Sequence, residues 1–335
     1  MASKIDTTEY MYCSARIRAM EVSQITRDKM RAVADSLTFA EAMNKISEYG
    51  VELVYNEGGE VDAEASLQKV YTDACEFIKN NMPHPEQLDF LRCPYDCNNL
   101  KAAIKCYFRG ISPDSMLYDC GVCPSDSAMA AIKGEPTEYS HNMLHAVSEA
   151  MESYSKTKNP QNIDVIMDRA CFSDMLECAK ASGCEFFVKL VKAKIDLTNI
   201  ITCLRLIRMN MGQAGYSLLC GAVLDGGTYD TKFLCECYEG GEDKLCEALA
   251  FSDYYKFINC VCENPDGFSR IEKFADDMYM EIAKKAKSVP FGPEVAAGYL
   301  IGIEYQIKNL RIILDAKITG KSVESINERL RCAYV

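Results

Sequence analysis

Residues 303–320, IEYQIKNLRIILDAKITG, have two diverged copies elsewhere in the chain. Residues 195–212 read IDLTNIITCLRLIRMNMG, and residues 95–110 read YDCNNLKAAIKCYFRG. Each copy places an Asn before an aliphatic residue (Asn99, Asn199 and Asn309), continues with mixed aliphatic and basic residues, and stops at a Gly. Gly is typical of the position just after a helix, where the backbone often turns left-handed. The chain therefore repeats one long helix three times.

Helical periodicity extends through the whole chain. Apolar residues recur at spacings of three and four, while the strict alternation typical of half-buried strands is almost absent. The three long helices lie about 100 residues apart, a period too long for solenoid repeats of ~20–50 residues. We therefore predict an all-α protein of three similar helical domains, residues 1–127, 128–230 and 231–335. The first domain is expected to begin with one long helix at residues 10–34.

The composition is that of a globular chain with an acidic balance. Its 335 residues are 48% hydrophobic and carry a formal net charge of -12, with a pI near 4.9. This negative charge disfavours binding to nucleic acid and to anionic lipid, since both depend on Lys and Arg side chains that neutralise phosphate groups. Apolar runs such as residues 295–303 reach about half of the ~20 residues that a membrane-spanning helix needs, and the first residues lack a secretory pattern. We expect a cytoplasmic protein that binds no nucleic acid.

No motif for nucleotide binding or catalysis is present in the sequence. The Gly-rich stretches at residues 225–230 and 240–245 lack the G-x-x-x-x-G-K-[ST] spacing of a phosphate-binding loop. A G-x-S-x-G nucleophile elbow is also missing. The sequence therefore predicts a protein that is not an enzyme, binds no nucleotide directly and has no cofactor.

Four of the 18 cysteines resemble a zinc site in part. Cys120 and Cys123 form a C-x-x-C, and Cys93 and Cys97 lie upstream. In the second copy, however, Leu224 falls near the place of Cys123, so the same segment is built without thiols. We favour reduced cysteines that act as small apolar residues in the core, and predict no metal.

The histidines give an equally incomplete pattern. His141 and His145 are spaced i, i+4, so both rings can face one side of a helix. A zinc protease has Glu directly after the first His, and this chain has Asn142 there. Surface or packing histidines are the favoured interpretation.

Each long helix carries a second polar residue three positions before its repeated Asn. Spacing i, i+3 places both side chains on one helix face. One interpretation is structural, in which buried side chains hydrogen-bond between helices within each domain. The other is a polar ring around a pseudo-threefold axis, and we favour the first. The pairs are Asp96/Asn99, Asp196/Asn199 and Gln306/Asn309.

The chain also resembles a known family. FGPEVAAGYLIGIEYQIKNLRIILDAKITG at residues 291–320, followed by INERLRCAYV at residues 326–335, is similar to the carboxy-terminal part of the C subunits of V-type and A-type ATPases, the family of the eukaryotic d subunit. YMYCSARIRAME at residues 10–21 and IDVIMDRACFSDML at residues 163–176 resemble that family too. The resemblance spans most of the chain and is weakest at residues 51–90 and 113–150.

The resemblance implies a funnel-shaped protein of three helical domains in a pseudo-threefold arrangement. It implies a non-catalytic adaptor of a rotary ATPase, which couples the central-stalk subunits of the head to the proteolipid ring during proton or sodium transport. Such an adaptor would lie on the cytosolic face of the membrane. The alternative is a cytosolic all-helical scaffold of another assembly.

Charged stripes on the long helices are our candidates for partner contacts. In the third copy these residues are Glu304, Lys308 and Arg311, and in the second they are Arg205 and Arg208. The same residues could instead be solvated or paired within a domain.

Overall fold

The computed structural model describes residues 5–263 and 268–335. It confirms the all-α prediction: 74% of the described residues are helical, and they contain one short antiparallel hairpin, in which Val54 pairs with Asp62 and Tyr55 with Val61. The helices are α1 (Met11–Glu21), α2 (Arg27–Ala34), α3 (Phe39–Glu48), α4 (Ala63–Asn81), α5 (Asp89–Arg109), α6 (Ser127–Ile132), α7 (His141–Thr157), α8 (Pro160–Ala181), α9 (Glu185–Met209), α10 (Gly212–Ala222), α11 (Thr231–Leu249), α12 (Tyr255–Glu263), α13 (Phe268–Ala283), α14 (Pro293–Ile318) and α15 (Val323–Arg329), and the strands are β1 (Val54–Tyr55) and β2 (Val61–Asp62).

The three repeated segments form the three long helices α5, α9 and α14, of 21, 25 and 26 residues. Gly110 closes α5 with a φ of 68°, as predicted. Gly320, with a φ of 65°, follows Thr319 at the end of α14. At the end of α9 the left-handed residue is Asn210, two positions before the predicted Gly212. Asn tolerates this conformation better than other non-Gly residues.

The prediction of one long helix at residues 10–34 is wrong. The chain forms α1 and α2, separated by residues 22–26. Thr26 caps α2, because its hydroxyl accepts a hydrogen bond from the backbone N–H of Lys29. The N–H of Ile25 donates to the side chain of Gln306 at 2.9 Å. A distant residue of α14 thus holds the break between the two helices.

Contacts divide the described residues into two compact units, and the first is Glu86–Ser252. In this unit α5 packs antiparallel to α8, which also packs against α7 and α9. The α5–α8 contact contains two ion pairs, Lys101 to Asp168 at 2.5 Å and Lys105 to Asp164 at 2.6 Å. Many of the cysteines in this unit are buried, which agrees with their predicted place in the core.

The second unit joins the chain up to Pro85 to Asp253–Val335. Its central element is α14, which packs against α1, α4 and α13. Gly298 and Gly302 of α14 lie under the ring of Tyr334, which is 2% exposed. A Cβ at Gly302 would lie 2.9 Å from the Cβ of Tyr334. The two glycines therefore let the end of the chain lie directly on the backbone of α14.

The domain boundaries 1–127, 128–230 and 231–335 and the funnel with pseudo-threefold arrangement stay predictions. In the part of the chain that the structure describes, no helix combines the length and the apolar character needed to cross a membrane.

Candidate functional site

The repeated Asn of each long helix makes the same pair of hydrogen bonds. Asn99 donates from Nδ2 to the carbonyl of Tyr118 at 2.8 Å, and its Oδ1 accepts from the N–H of Tyr118 at 2.8 Å. One side-chain amide therefore satisfies both backbone groups of one residue, as a neighbouring strand would. We call this arrangement an asparagine clamp.

The asparagine clamp recurs in the other two copies. Asn199 holds Leu224 through bonds of 2.8 and 2.9 Å. Asn309 holds the backbone of Arg331 through bonds of 3.0 and 2.8 Å. The three Asn side chains are no more than 1% exposed, so water cannot replace these bonds. Each clamp fastens the segment that follows a long helix back onto that helix.

The acidic residue three positions earlier binds the same segment in the first two copies. The carboxylate of Asp96 accepts from the N–H groups of Val122 at 3.0 Å and Cys123 at 3.1 Å. That of Asp196 accepts from the N–H of Thr228 at 2.6 Å. Val122 and Thr228 each lie four residues after the residue held by the asparagine clamp. Two side chains of one helix face therefore fix a complete turn.

Both turns contain a glycine that this approach requires. Gly121 and Gly227 each lie three residues after the residue held by the clamp. A Cβ at Gly121 would collide with the carboxylate of Asp96, and one at Gly227 with the carboxylate of Asp196. The shared pattern is therefore x-Asp-x-Gly, at residues 118–121 and 224–227. It places Leu224 with Tyr118, so the sequence prediction that set Leu224 beside Cys123 is wrong.

The third copy departs from this pattern. Gln306 stands where the other copies have Asp, and its Oε1 accepts from Ile25 of the α1–α2 connection. All three pairs thus hydrogen-bond within their own unit, which agrees with the structural interpretation. Their partners are backbone groups of loops and turns, where other helices were expected.

Burial perturbs the carboxyl of Asp96. Loss of solvent raises its pKa to about 6, and the N–H groups of Cys123 and Val122 oppose this by stabilising the charged form. Asp96 is 4% exposed. The group titrates in the mildly acidic range, and no catalytic partner is needed to explain the shift.

The predicted contact residues on α9 differ in their surroundings. Arg208 forms a bidentate ion pair with Glu242 of α11, at 2.9 and 2.6 Å, and its side chain is only 13% exposed. Arg205 is exposed on the same helix. Of these two arginines, Arg205 is the more accessible to another protein.

On α14 the predicted contact residues include two that bind carboxylates of their own unit. Lys308 lies 2.6 Å from Asp276 of α13, and Arg311 pairs with Glu64 of α4 at 2.9 and 2.6 Å. Both cations remain 42% exposed. Glu304 is half-buried. These pairings fasten α14 to its neighbours, and their partners lie too far away in sequence to be found from the pattern of α14.

The candidate metal ligands do not form one cluster. Cys93 lies 4.0 Å, sulfur to sulfur, from Cys178 of α8, while the thiol of Cys97 donates to the carbonyl of Met167. His141 and His145 are exposed and line an open groove between α7 and α8. Among residues 5–263 and 268–335, no group of three or more His, Cys, Asp or Glu side chains is arranged to hold a metal ion.

Comparison with known proteins gives one consistent result. The sequence model of the family described as ATP synthase (C/AC39) subunit matches residues 13–329. The chain is 24% identical over 332 residues to the C subunit of the V-type sodium ATPase of Enterococcus hirae, covering 97% of this chain and 99% of that protein. It is 23% identical over 355 residues to the C subunit of the A-type ATP synthase of Methanocaldococcus jannaschii, covering 97% and 87%. The same subunit of Thermococcus kodakarensis is 23% identical over 351 residues, covering 95% and 88%.

Proposed function

The chain belongs to the ATP synthase (C/AC39) subunit family, and from this membership we propose that it is the central-rotor adaptor between the central stalk and the proteolipid ring. The family places it within a V/A-type rotary ATPase as a non-catalytic subunit. We propose that it lies on the cytosolic face of the membrane and turns with the ring during proton or sodium transport.

The structural observation that supports this proposal is the asparagine clamp, which occurs at all three long helices. A subunit that transmits torque must resist deformation, because energy stored in bending it is not transferred to the next subunit of the ATPase. Opening one clamp would leave a buried N–H and a buried carbonyl unpaired, at ~1–3 kcal/mol each. Each clamp therefore resists movement of the clamped segment away from its long helix.

Two further features support an adaptor. The long helices are fastened sideways by bidentate pairs, Arg208 to Glu242 and Arg311 to Glu64. The formal net charge of -12 favours association with basic surfaces, since opposite potentials steer two proteins together. Basic loops of a proteolipid ring or basic stalk segments would be such surfaces.

We propose Arg205, Arg208, Glu304, Lys308 and Arg311 as contacts with the partner subunits, in which the four basic residues would meet acidic groups of the partner. Arg205 is the first choice on α9, because its side chain is exposed whereas that of Arg208 is largely covered. For each of the four basic residues, the contribution to a partner contact would depend on how its contacts within this chain rearrange.

Purification of the tagged full-length chain from gently solubilised native membranes tests the function. We expect proteolipid and central-stalk subunits to co-elute and the eluate to hydrolyse ATP. If the chain is recovered without partners from membranes whose ATPase is intact, the proposed adaptor role is wrong and the alternative, a scaffold of another assembly, is favoured.

A pair of matched variants tests the contact residues in the same purification. Arg205→Glu reverses a charge on an exposed position of α9, and Lys192→Glu makes the same change at another exposed position of that helix. We expect the first to lower the yield of co-eluting subunits several-fold and the second to leave it unchanged. If the two variants gave equal yields of co-eluting subunits, Arg205 would not be part of the proposed contact.

A further inference from the structure

Two thiols at one end of the first unit lie almost within bonding distance. Cys220 of α10 and Cys235 of α11 have their sulfur atoms 3.0 Å apart. A disulfide bond is ~2.05 Å long, so the two sulfurs need to approach by about 1 Å. Helices α10 and α11 both pack against α9, which keeps the two thiols facing each other.

The two thiols differ in their access to solvent. Cys220 is exposed, whereas Cys235 is 5% exposed. Burial raises the pKa of Cys235 to about 11, so this sulfur remains a thiol at neutral pH. Cys220 is thus the group that a dissolved oxidant reaches first, and Cys235 is the nearest group that can respond.

The segment between the two thiols is the one that the second asparagine clamp holds. Leu224 and Thr228 are fixed to Asn199 and Asp196 of α9. A bond between the sulfurs would close a covalent ring around this turn. The helices on either side both pack against α9, and the sulfurs are already 3.0 Å apart, so ring formation demands little rearrangement.

We propose that Cys220 and Cys235 form a reversible intramolecular disulfide when the protein meets a hydroperoxide. The Cys220 thiolate attacks the peroxide oxygen, the O–O bond breaks, and a sulfenic acid forms with release of hydroxide, which takes up the thiol proton as water. The sulfur of Cys235 then attacks the Cys220 sulfur, and the S–O bond breaks with release of a second water. Overall two thiols and one hydrogen peroxide give one disulfide and two waters, and a dithiol reverses the bond.

Peptide mapping of the full-length reduced protein tests this modification. The protein is treated with increasing hydrogen peroxide, its remaining thiols are alkylated, and it is digested with trypsin without reductant. Cleavage after Lys232 separates the two cysteines, so the disulfide appears as one mass joining two peptides. Fragmentation distinguishes Cys235 from its neighbour Cys237. We expect this species to appear before any other linked pair and to vanish after treatment with dithiothreitol.

Other thiols provide the comparison. Cys93 and Cys178 are also neighbours, but their sulfurs are 4.0 Å apart and Cys93 is buried. We expect this pair to form a disulfide at several-fold higher peroxide, if at all. Cys220→Ser should abolish the first linked species, whereas Cys332→Ser, a change at another exposed thiol, should leave it intact.

Three results would overturn the proposal, and all can be read in the unaltered protein. They are a sulfinic acid at Cys220 without a bond to Cys235, a disulfide between two molecules through Cys220, and oxidation of the Cys93 pair first. Because each is measured in the unaltered chain, poor folding of a variant would not obscure it.

Discussion

Asn199 hydrogen-bonds both backbone groups of Leu224, so that one side chain fixes a peptide 25 residues further along the chain. Replacing Asn199 with Ala leaves two buried groups unpaired. At ~1–3 kcal/mol each, we expect the free energy of unfolding to fall by about 2–6 kcal/mol, measured by urea titration with circular dichroism. Asn44→Ala, on an exposed face of α3, is the control and should change it by less than ~0.7 kcal/mol. Equal losses would show that the clamp adds no specific stability.

Gly227 should tolerate no side chain. A Cβ there would collide with the Asp196 carboxylate and lie 2.9 Å from the Ile195 side chain. Gly227→Ala should therefore lower the free energy of unfolding by ~1–3 kcal/mol, the usual cost of overpacking. Gly221→Ala is the matched change in α10, where a Cβ meets no atom within 4 Å. It should stabilise the protein by up to ~1 kcal/mol, and a loss as large as that of Gly227→Ala would contradict the steric explanation.

Asp96 should make stability depend on pH. Burial raises its pKa from 3.8 to about 6 in the folded protein, so the folded state binds the proton more tightly than the unfolded chain. Its contribution to stability is therefore full below pH ~4 and is lost as the pH rises through ~6. Relative to Asp96→Asn, the unaltered protein should lose up to roughly 3 kcal/mol between those values.

Urea titrations at pH 4 and pH 7 measure this difference for Asp96. Asn99→Ala removes hydrogen bonds of the same turn without removing a titratable group. The difference in free energy of unfolding between this variant and the unaltered protein should therefore be equal at both pH values. If the corresponding difference for Asp96→Asn were also independent of pH, the raised pKa of Asp96 would be contradicted.

Gly302 and Tyr334 should show strong coupling. Gly302→Ala pushes a Cβ against the Cβ and the ring of Tyr334, and Tyr334→Gly removes both, emptying a buried aromatic position at a cost of at least ~3–5 kcal/mol. In the double variant the added Cβ therefore meets neither the ring nor the Cβ of residue 334. We therefore expect the double variant to lose less stability than the sum of the single variants, by about 1 kcal/mol or more. Strict additivity in thermal or urea unfolding would show that the chain end does not rest on Gly302.

The sequence identifies the Asn of each clamp, although not the clamp itself, because this Asn occurs three times. Asn99, Asn199 and Asn309 occupy one position in a repeated helical pattern, and the sequence favours a buried polar group with a hydrogen-bond partner there. The partners Tyr118, Leu224 and Arg331 share no residue type, since only their backbone is bound. Hydrogen bonding to backbone leaves no trace in the side chains, so the partners cannot be identified from the sequence.

The break between α1 and α2 is only partly visible in the sequence. Apolar residues keep a helical spacing through residues 10–34, although Thr26, which caps α2, is a local signal of a helix start. The N–H of Ile25 also donates a hydrogen bond to Gln306, 281 residues away, and this contact cannot be found from the local pattern. The partners of Lys308 and Arg311 are hidden likewise, because Asp276 and Glu64 lie on other helices.

The asparagine clamp binds only the backbone N–H and C=O of its partner, so the side chain of that partner residue can vary. Tyr118, Leu224 and Arg331 are an aromatic, an aliphatic and a basic residue, yet each is held by the same two bonds. Each copy can therefore suit its own packing environment at this position, where Leu224 is 5% exposed and the Arg331 side chain 8% exposed, without weakening the two bonds that hold the backbone.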